Sequence, residues 1–168
     1  SPRLIRNALC GDLGSIQSPH NAFLINLGLE SLHLRMAQHC KNAQRIAEFL
    51  NADSRVAWVH YCGLENDRNH GLAKKYMPNG SCGVIAFGLK GDRETAIKWM
   101  DSLELINIVT HVADCRSCVL HPASHTHRQL SDEQLREAGI APDLIRLSVG
   151  IEDSEDILDD IKQALDRI

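Results

Sequence analysis

Leu144-Ile145-Arg146-Leu147-Ser148-Val149-Gly150 sets an arginine in the middle of an apolar run. The stretch reads as a strand over 144–149. A guanidinium on a half-buried strand surface calls for an anionic partner. One reading is an internal salt bridge. The other is a clamp for a carboxylate or phosphate, which a guanidinium grips with two parallel hydrogen bonds. Gly150 lets the chain turn away after the strand. Ser154 then caps a last helix, in which Ile157, Leu158, Ile161, Leu165 and Ile168 make one apolar stripe.

Working back from this strand, Ser131-Asp132-Glu133-Gln134 is a capping box that leads a helix ending at Gly139. Residues 106–109 and 117–120 are short strand candidates. Gly91-Asp92 opens a helix over 93–102 with Asp92 as its cap, and 82–89 is a strong strand. Pro78-Asn79-Gly80 is a turn, 70–76 a short helix, and Val56-Ala57-Trp58-Val59 a strand. Several short strands close in sequence, interleaved with helices, predict an α+β domain with helices on one face of a sheet.

At the other end of the chain, Ser18-Pro19 is a helix start, a serine cap followed by proline where the missing N–H costs nothing. Helical spacing of apolar residues then runs from Phe23 and Leu24 to Ile46, Ala47 and Leu50. One helix over 18–50 would be a rod of roughly 45–50 Å. That outreaches a small domain, so either Gly28 bends it or part of it packs on something else. The first 17 residues, polar and carrying Gly11 and Gly14, read as a lead-in.

The chain has 168 residues with 43% hydrophobic and 24% charged side chains. This suits one folded domain and excludes disorder as the default state. Eighteen basic against 22 acidic residues leave a net charge of −4, without the basic stripe of a nucleic-acid binder. Aromatics are only 4%, so Leu, Ile, Val and Ala must fill the interior. No apolar run approaches a membrane span, and the N-terminal residues carry no signal-peptide core. Six scattered cysteines (10, 40, 62, 82, 115 and 118) read as reduced thiols, which predicts a cytoplasmic protein.

The densest polar cluster is His111-x-x-x-Cys115-x-x-Cys118-x-x-His121, with His125 and His127 beyond it. Such a set can hold tetrahedral zinc, and Cys-x-x-Cys can also be a redox pair. Against both, Cys118 lies in the strand-like run Cys118-Val119-Leu120, and no second Cys-x-x-Cys completes a site. The plain alternative is two buried small hydrophobes. Ser124 lacks a Gly-x-Ser-x-Gly elbow, and no glycine-rich phosphate loop occurs.

Taken together, these motifs resemble the Cys/Met-metabolism pyridoxal-phosphate enzymes. The resemblance rests on Ser18-Pro19-His20-Asn21-Ala22-Phe23-Leu24, Gly28-Leu29-Glu30-Ser31-Leu32 and Leu34-Arg35-Met36, then Asn42-Ala43 and His70-x-Leu72-Ala73. It continues through Gly83-Val84-Ile85-Ala86-Phe87, Lys90-Gly91, His121-Pro122-Ala123-Ser124, Thr126-His127 and Gln129-Leu130-Ser131. It ends on the strand from Leu144 to Gly150 with Ile151-Glu152. Within the family the wording is similar to the O-acetylhomoserine sulfhydrylases, and cystathionine γ-synthases, cystathionine lyases and methionine γ-lyases share much of it.

The resemblance implies the small C-terminal domain of a fold type I enzyme, over 51–168, with a mostly antiparallel sheet. A long interdomain helix over 18–50 and a lead-in from a missing large domain over 1–17 would precede it. In the whole enzyme, acetate at Cγ of an O-acetylhomoserine-type amino acid would be replaced by sulfide or a thiol. The family's cofactor lysine stands in a Ser-x-Thr-Lys motif. None of Lys41, Lys74, Lys75, Lys90, Lys98 and Lys162 stands in one, so pyridoxal phosphate is expected in the full enzyme and not on this chain, which would be inactive alone.

By the same resemblance, Arg146 matches the arginine that binds the substrate's α-carboxylate. His111 falls where relatives carry Ser or Asn facing that carboxylate, and the family's Gly-Asp becomes Ala113-Asp114. Ser117 and His121-Pro122-Ala123-Ser124 would shape the pocket wall. The apolar side of the long helix (Phe23, Leu24, Leu27) would meet the missing domain, or draw copies into a dimer or larger oligomer.

Overall fold

The computed structural model describes residues 10, 11, 14, 16–123, 129, 131–137 and 141–168. Residues 1–9, 12, 13 and 15 of the expected lead-in over 1–17, the segment 124–128 with His125 and His127, and the helix stop at Gly139 lie outside the described residues. By contacts the chain forms two compact units, Ser1–Leu34 and Arg35–Ile168.

In the first unit, α1 spans Pro19–Glu30, and the Ser18 hydroxyl accepts from the Asn21 amide at 3.2 Å, the cap the sequence predicts. None of the α1 side chains is buried. The expected single rod is two helices, because α1 ends at Ser31 and α2 covers Leu32–Ala52. Gly28, the expected bend, stays inside α1. Helix α1 has apolar side chains all round and no dominant face, which is why spacing alone gave its end no mark.

The second unit holds a five-stranded sheet. Its strands are β1 (Val56–His60), β2 (Val84–Leu89), β3 (Asn107–Ile108), β4 (Cys118–Leu120) and β5 (Leu144–Ser148). Their order is β1-β2-β5-β4-β3, with antiparallel pairs throughout except the parallel pair β3 and β4. The helices between the strands are α3 (His70–Tyr76), α4 (Arg93–Asp101) and α5 (Asp132–Glu137), and α6 (Ser154–Leu165) closes the unit. The expected α+β class and the mostly antiparallel sheet both hold.

The core lies on one face of this sheet. Ile85 and Phe87 of β2, Val119 of β4, and Ile145 and Leu147 of β5 are fully buried. Ala43, Ile46, Ala47 and Leu50 of α2, Trp99 of α4, and Ile157, Ile161 and Leu165 of α6 pack into the same cluster. Trp99 meets the Phe87 ring edge-on, with centroids 5.4 Å apart, a favoured geometry for an aromatic pair. Fully burying one such side chain stabilises by about 1.5–3 kcal/mol, so this cluster is what holds the sheet.

Caps fix the helix starts. Asp92 and Thr95 form a reciprocal box at α4. At α5 the Gln134 amide donates to the Ser131 hydroxyl, and the Ser131 amide donates to the Gln134 side chain. At α6 the cap is Asp153, whose carboxylate accepts from the Glu155 amide, and Ser154 is the first helical residue rather than the cap.

Asp160 of α6 is buried and accepts three backbone N–H groups, from Glu104, Leu105 and Ile106 at 2.8–3.0 Å. Gln163 donates to it as well. This carboxylate holds the turn that feeds β3, more than 50 residues away in sequence. Among the described residues, no helix is long and apolar enough to cross a membrane.

Candidate substrate-binding site

Alternation along β5 decides where Arg146 goes. Ile145 and Leu147 face the helices, so Arg146 and Ser148 face the opposite side of the sheet. Its cross-strand neighbours there are Ala86 of β2 and Leu120 of β4. The guanidinium is half-buried. Its Nη2 donates to the carbonyls of Thr110 (3.0 Å) and His111 (3.1 Å), and its buried Nε has no partner. Among the described residues no carboxylate pairs with it. Carbonyl dipoles orient the group without cancelling its charge, so the arginine is held in place with no counter-ion among the described residues.

The carbonyls come from a loop between β3 and β4 that is tied to the end of β5 along its length. The Ala113 amide donates to the Ser148 hydroxyl at 3.0 Å, and the Cys118 thiol donates to the His111 carbonyl. The Ile151 amide donates to the Cys115 carbonyl. Ser117 is fully buried; its amide and hydroxyl donate to the two Glu152 oxygens at 2.5 and 3.0 Å. The Gly150 amide in turn donates to the Ser117 hydroxyl. Asn42 of α2 completes the knot by donating to the carbonyls of Gly150 and Glu152.

Gly150 is required there by close approach. A Cβ on it would sit 2.5 Å from both the Cys115 carbonyl oxygen and the Ser117 nitrogen. Its role is therefore to admit the loop backbone, where the sequence alone pointed only to a turn.

Ala113 adopts φ 60, the left-handed region that favours glycine. Where the resemblance leads one to expect glycine, this turn thus carries an alanine in a glycine-favouring conformation, at a cost of roughly 1–2 kcal/mol. Replacing Ala113 by glycine is expected to raise the unfolding free energy by about 0.5–1 kcal/mol, after glycine's greater unfolded-state freedom is deducted. Chemical denaturation measures this, and a loss of stability would contradict the strain.

Beside that turn, the Arg116 amide and guanidinium, and then the His111 ring, hold the Asp114 carboxyl below the usual carboxylate range. His111 Nδ1 lies 3.5 Å from Asp114, and the His111 ring is mostly exposed. A small pocket of about 130 Å³ opens on this loop, lined among others by His111, Asp114, Arg116, Ser117 and Cys118.

Of the expected site residues, His111 and Ser117 line this pocket together. Arg146 is joined to it through the His111 carbonyl. Ser117 contributes backbone position, its hydroxyl being committed to Glu152 and Gly150. Sequence reasoning missed the anchoring roles of Ser148, Glu152 and Asn42. Only Ser148 left a local signal, two places after Arg146 on the same strand face.

The zinc constellation does not assemble. His121 is fully buried and its Nε2 donates to the Pro142 carbonyl, while Cys118 is buried against the sheet and Cys115 is exposed. Among the described residues no three His, Cys, Asp or Glu side chains come together to hold a metal ion. The reading of the two cysteines as buried hydrophobes holds for Cys118 and fails for Cys115.

A five-stranded, mostly antiparallel sheet packed against helices, with an arginine on the opposite face paired with no carboxylate among the described residues, defines an α+β module carrying a positioned cation. Residues 5–166 match the family model described as Cys/Met metabolism PLP-dependent enzyme, and the chain belongs to that family. It is 44% identical over 158 residues to an O-acetyl-L-homoserine sulfhydrylase of Leptospira meyeri, covering 94% of this chain and 36% of that protein. It is 43% identical over 155 residues to a homocysteine synthase of Schizosaccharomyces pombe, covering 92% and 36%.

Its fold superposes on a putative O-acetylhomoserine (thiol)-lyase from Campylobacter jejuni with a TM-score of 0.89 at 39% identity, covering 98% of this chain and 39% of that one. The chain therefore spans little more than a third of the length of these relatives.

That Campylobacter structure is described with pyridoxyl-lysine phosphate. Pyridoxal phosphate is held through a lysine Schiff base. Among the described residues, the pocket on this loop is lined by no lysine and by no Phe, Tyr or Trp ring, so these residues do not fit the cofactor by themselves. What they offer is a positioned cation.

Proposed function

We propose that this chain is the C-terminal, substrate-binding part of a pyridoxal-phosphate-dependent O-acetylhomoserine sulfhydrylase. In this reading Arg146 grips the α-carboxylate of the amino acid. The observation that carries it is the guanidinium itself, lodged on the sheet face opposite the helical core, oriented by two carbonyls and paired with no acid among the described residues. A carboxylate reaching it gains charge-assisted hydrogen bonds that neutral acceptors cannot match.

His111 stands on the same loop with a ring that can face the other carboxylate oxygen, and Asp114 keeps that ring on the loop. Fixing one end of the substrate orients its reacting carbons toward a cofactor housed in the remainder of the enzyme. Helix α1 supports the same picture. Phe23, Leu24 and Leu27 are half or more exposed, a surface suited to the large domain or to a second copy. The chain alone is expected to be inactive.

Product analysis of the intact enzyme carrying this chain tests the reading. With O-acetylhomoserine and sulfide it should form homocysteine and acetate. Faster cystathionine formation when cysteine replaces sulfide would favour a γ-synthase. Dominant release of a 2-oxo acid without thiol uptake would make it a γ-lyase.

A further inference from the structure

Away from the Arg146 face, three of the six cysteines gather where β1 and β2 begin to diverge. Strand β1 ends at His60, opposite Ala86; Cys62 follows two residues after the end of β1, and Cys82 stands two residues before the start of β2. The Tyr61 hydroxyl, between them, donates to the Cys82 carbonyl at 3.0 Å. Cys62 and Cys82 are close enough to interact, with Cys40 of α2 near both, and the Cys82 thiol donates to the Val84 carbonyl at 3.4 Å. Cys40 also lies against Gly80, 3.0 Å from where a Cβ would be. Of the three, Cys62 lines an open pocket of about 420 Å³, along with His70, Lys74 and Gly80. His70 Nδ1 donates to the Cys62 carbonyl.

This arrangement is independent of the carboxylate clamp and has the parts of a two-step thiol exchange. All three cysteines are half-buried, Cys62 is the one of them that lines this open pocket, Cys82 is its neighbour, and Lys74 offers a cationic group for an anionic partner at the pocket rim. Because Cys62 lines the pocket, an incoming disulfide meets it first; burial pushes the Cys40 and Cys82 thiols up, which slows them as first attackers. We propose that Cys62 is a modification site for small disulfides of the oxidised-glutathione class, and that Cys82 resolves the adduct into a Cys62–Cys82 disulfide.

The Cys62 thiolate attacks one sulfur of the small disulfide. A mixed disulfide forms and one small thiolate leaves. The Cys82 thiolate then attacks the Cys62 sulfur, forms the protein disulfide and expels the second small thiolate. The protein loses two electrons and two protons, and the small disulfide is reduced to two thiols. The product ties the end of β1 to the segment entering β2, at the rim of the pocket.

The chain is exposed to oxidised glutathione under native conditions, quenched by alkylation and cut after lysine and arginine. Cys40, Cys62 and Cys82 then fall in different peptides, 36–41, 56–68 and 76–90. Peptides 56–68 and 76–90 are expected to be found joined. Cys82→Ser should instead trap glutathione on Cys62, and the same treatment in denaturant should lose the preference for this pair. Joining of Cys40 to either partner, or glutathione on the exposed Cys115 with Cys62 untouched, would overturn the proposal.

Discussion

Replacing Arg146 by alanine in the intact enzyme is expected to raise the KM for the amino-acid substrate by about 10- to 100-fold, the equivalent of about 1.5–3 kcal/mol for a charged hydrogen-bonded pair. The KM for sulfide should stay within about twofold, because losing one uniform binding contact does not touch the second substrate. Arg146→Lys separates charge from geometry. An ammonium restores a positive point charge but lacks the fork that donates to Thr110 and His111 while still addressing a ligand. Lysine should therefore recover less than half of the lost binding free energy. Initial-rate kinetics with each substrate varied in turn give both constants. An amino-acid KM that moves by less than about threefold would remove Arg146 from the carboxylate.

The second large effect is on stability. Asp160→Ala leaves the Glu104, Leu105 and Ile106 amides without their acceptor in a crowded turn. Each unmade buried bond costs on the order of 1–3 kcal/mol. Part of that returns if water enters, so the expected total is about 3–5 kcal/mol, read by urea unfolding. Asp160→Asn keeps one acceptor oxygen and turns an amide group toward the other donors, so it should lose roughly half as much. An alanine variant within about 1 kcal/mol of the parent would show that the turn holds itself.

Much of the fold was legible because its signals are local. Ser18-Pro19, Asp92 with Thr95, and Ser131 with Gln134 each announce a helix within four residues, and each cap forms. The start of α6 was misplaced by one residue, since Asp153 and Ser154 are both competent caps and spacing does not choose between them. The strand containing Arg146 was plain from its composition. Its orientation became decidable only with the sheet, since a strand names two faces and its neighbours decide which one is covered.

The site divides along the same line. Arg146, His111 and Ser117 came from motif resemblance. The anchors came from folding alone: Asn42 bonds residues more than 100 positions away, and Asp160 bonds residues more than 50 away, with no local mark of either. The His/Cys cluster misled for the converse reason. Closeness in sequence placed His121 past the end of β4, with its ring turned to Pro142 and away from the cysteines.

The arginine's support on the loop is supplied by peptide carbonyls, which every amino acid possesses. Thr110 and His111 can thus be exchanged for other side chains without loosening the anchor, provided the turn at Ala113 survives. With Arg146 on the carboxylate as proposed, divergence in what the enzyme accepts has an open route through these two positions, while the grip on the carboxylate stays fixed in the strand.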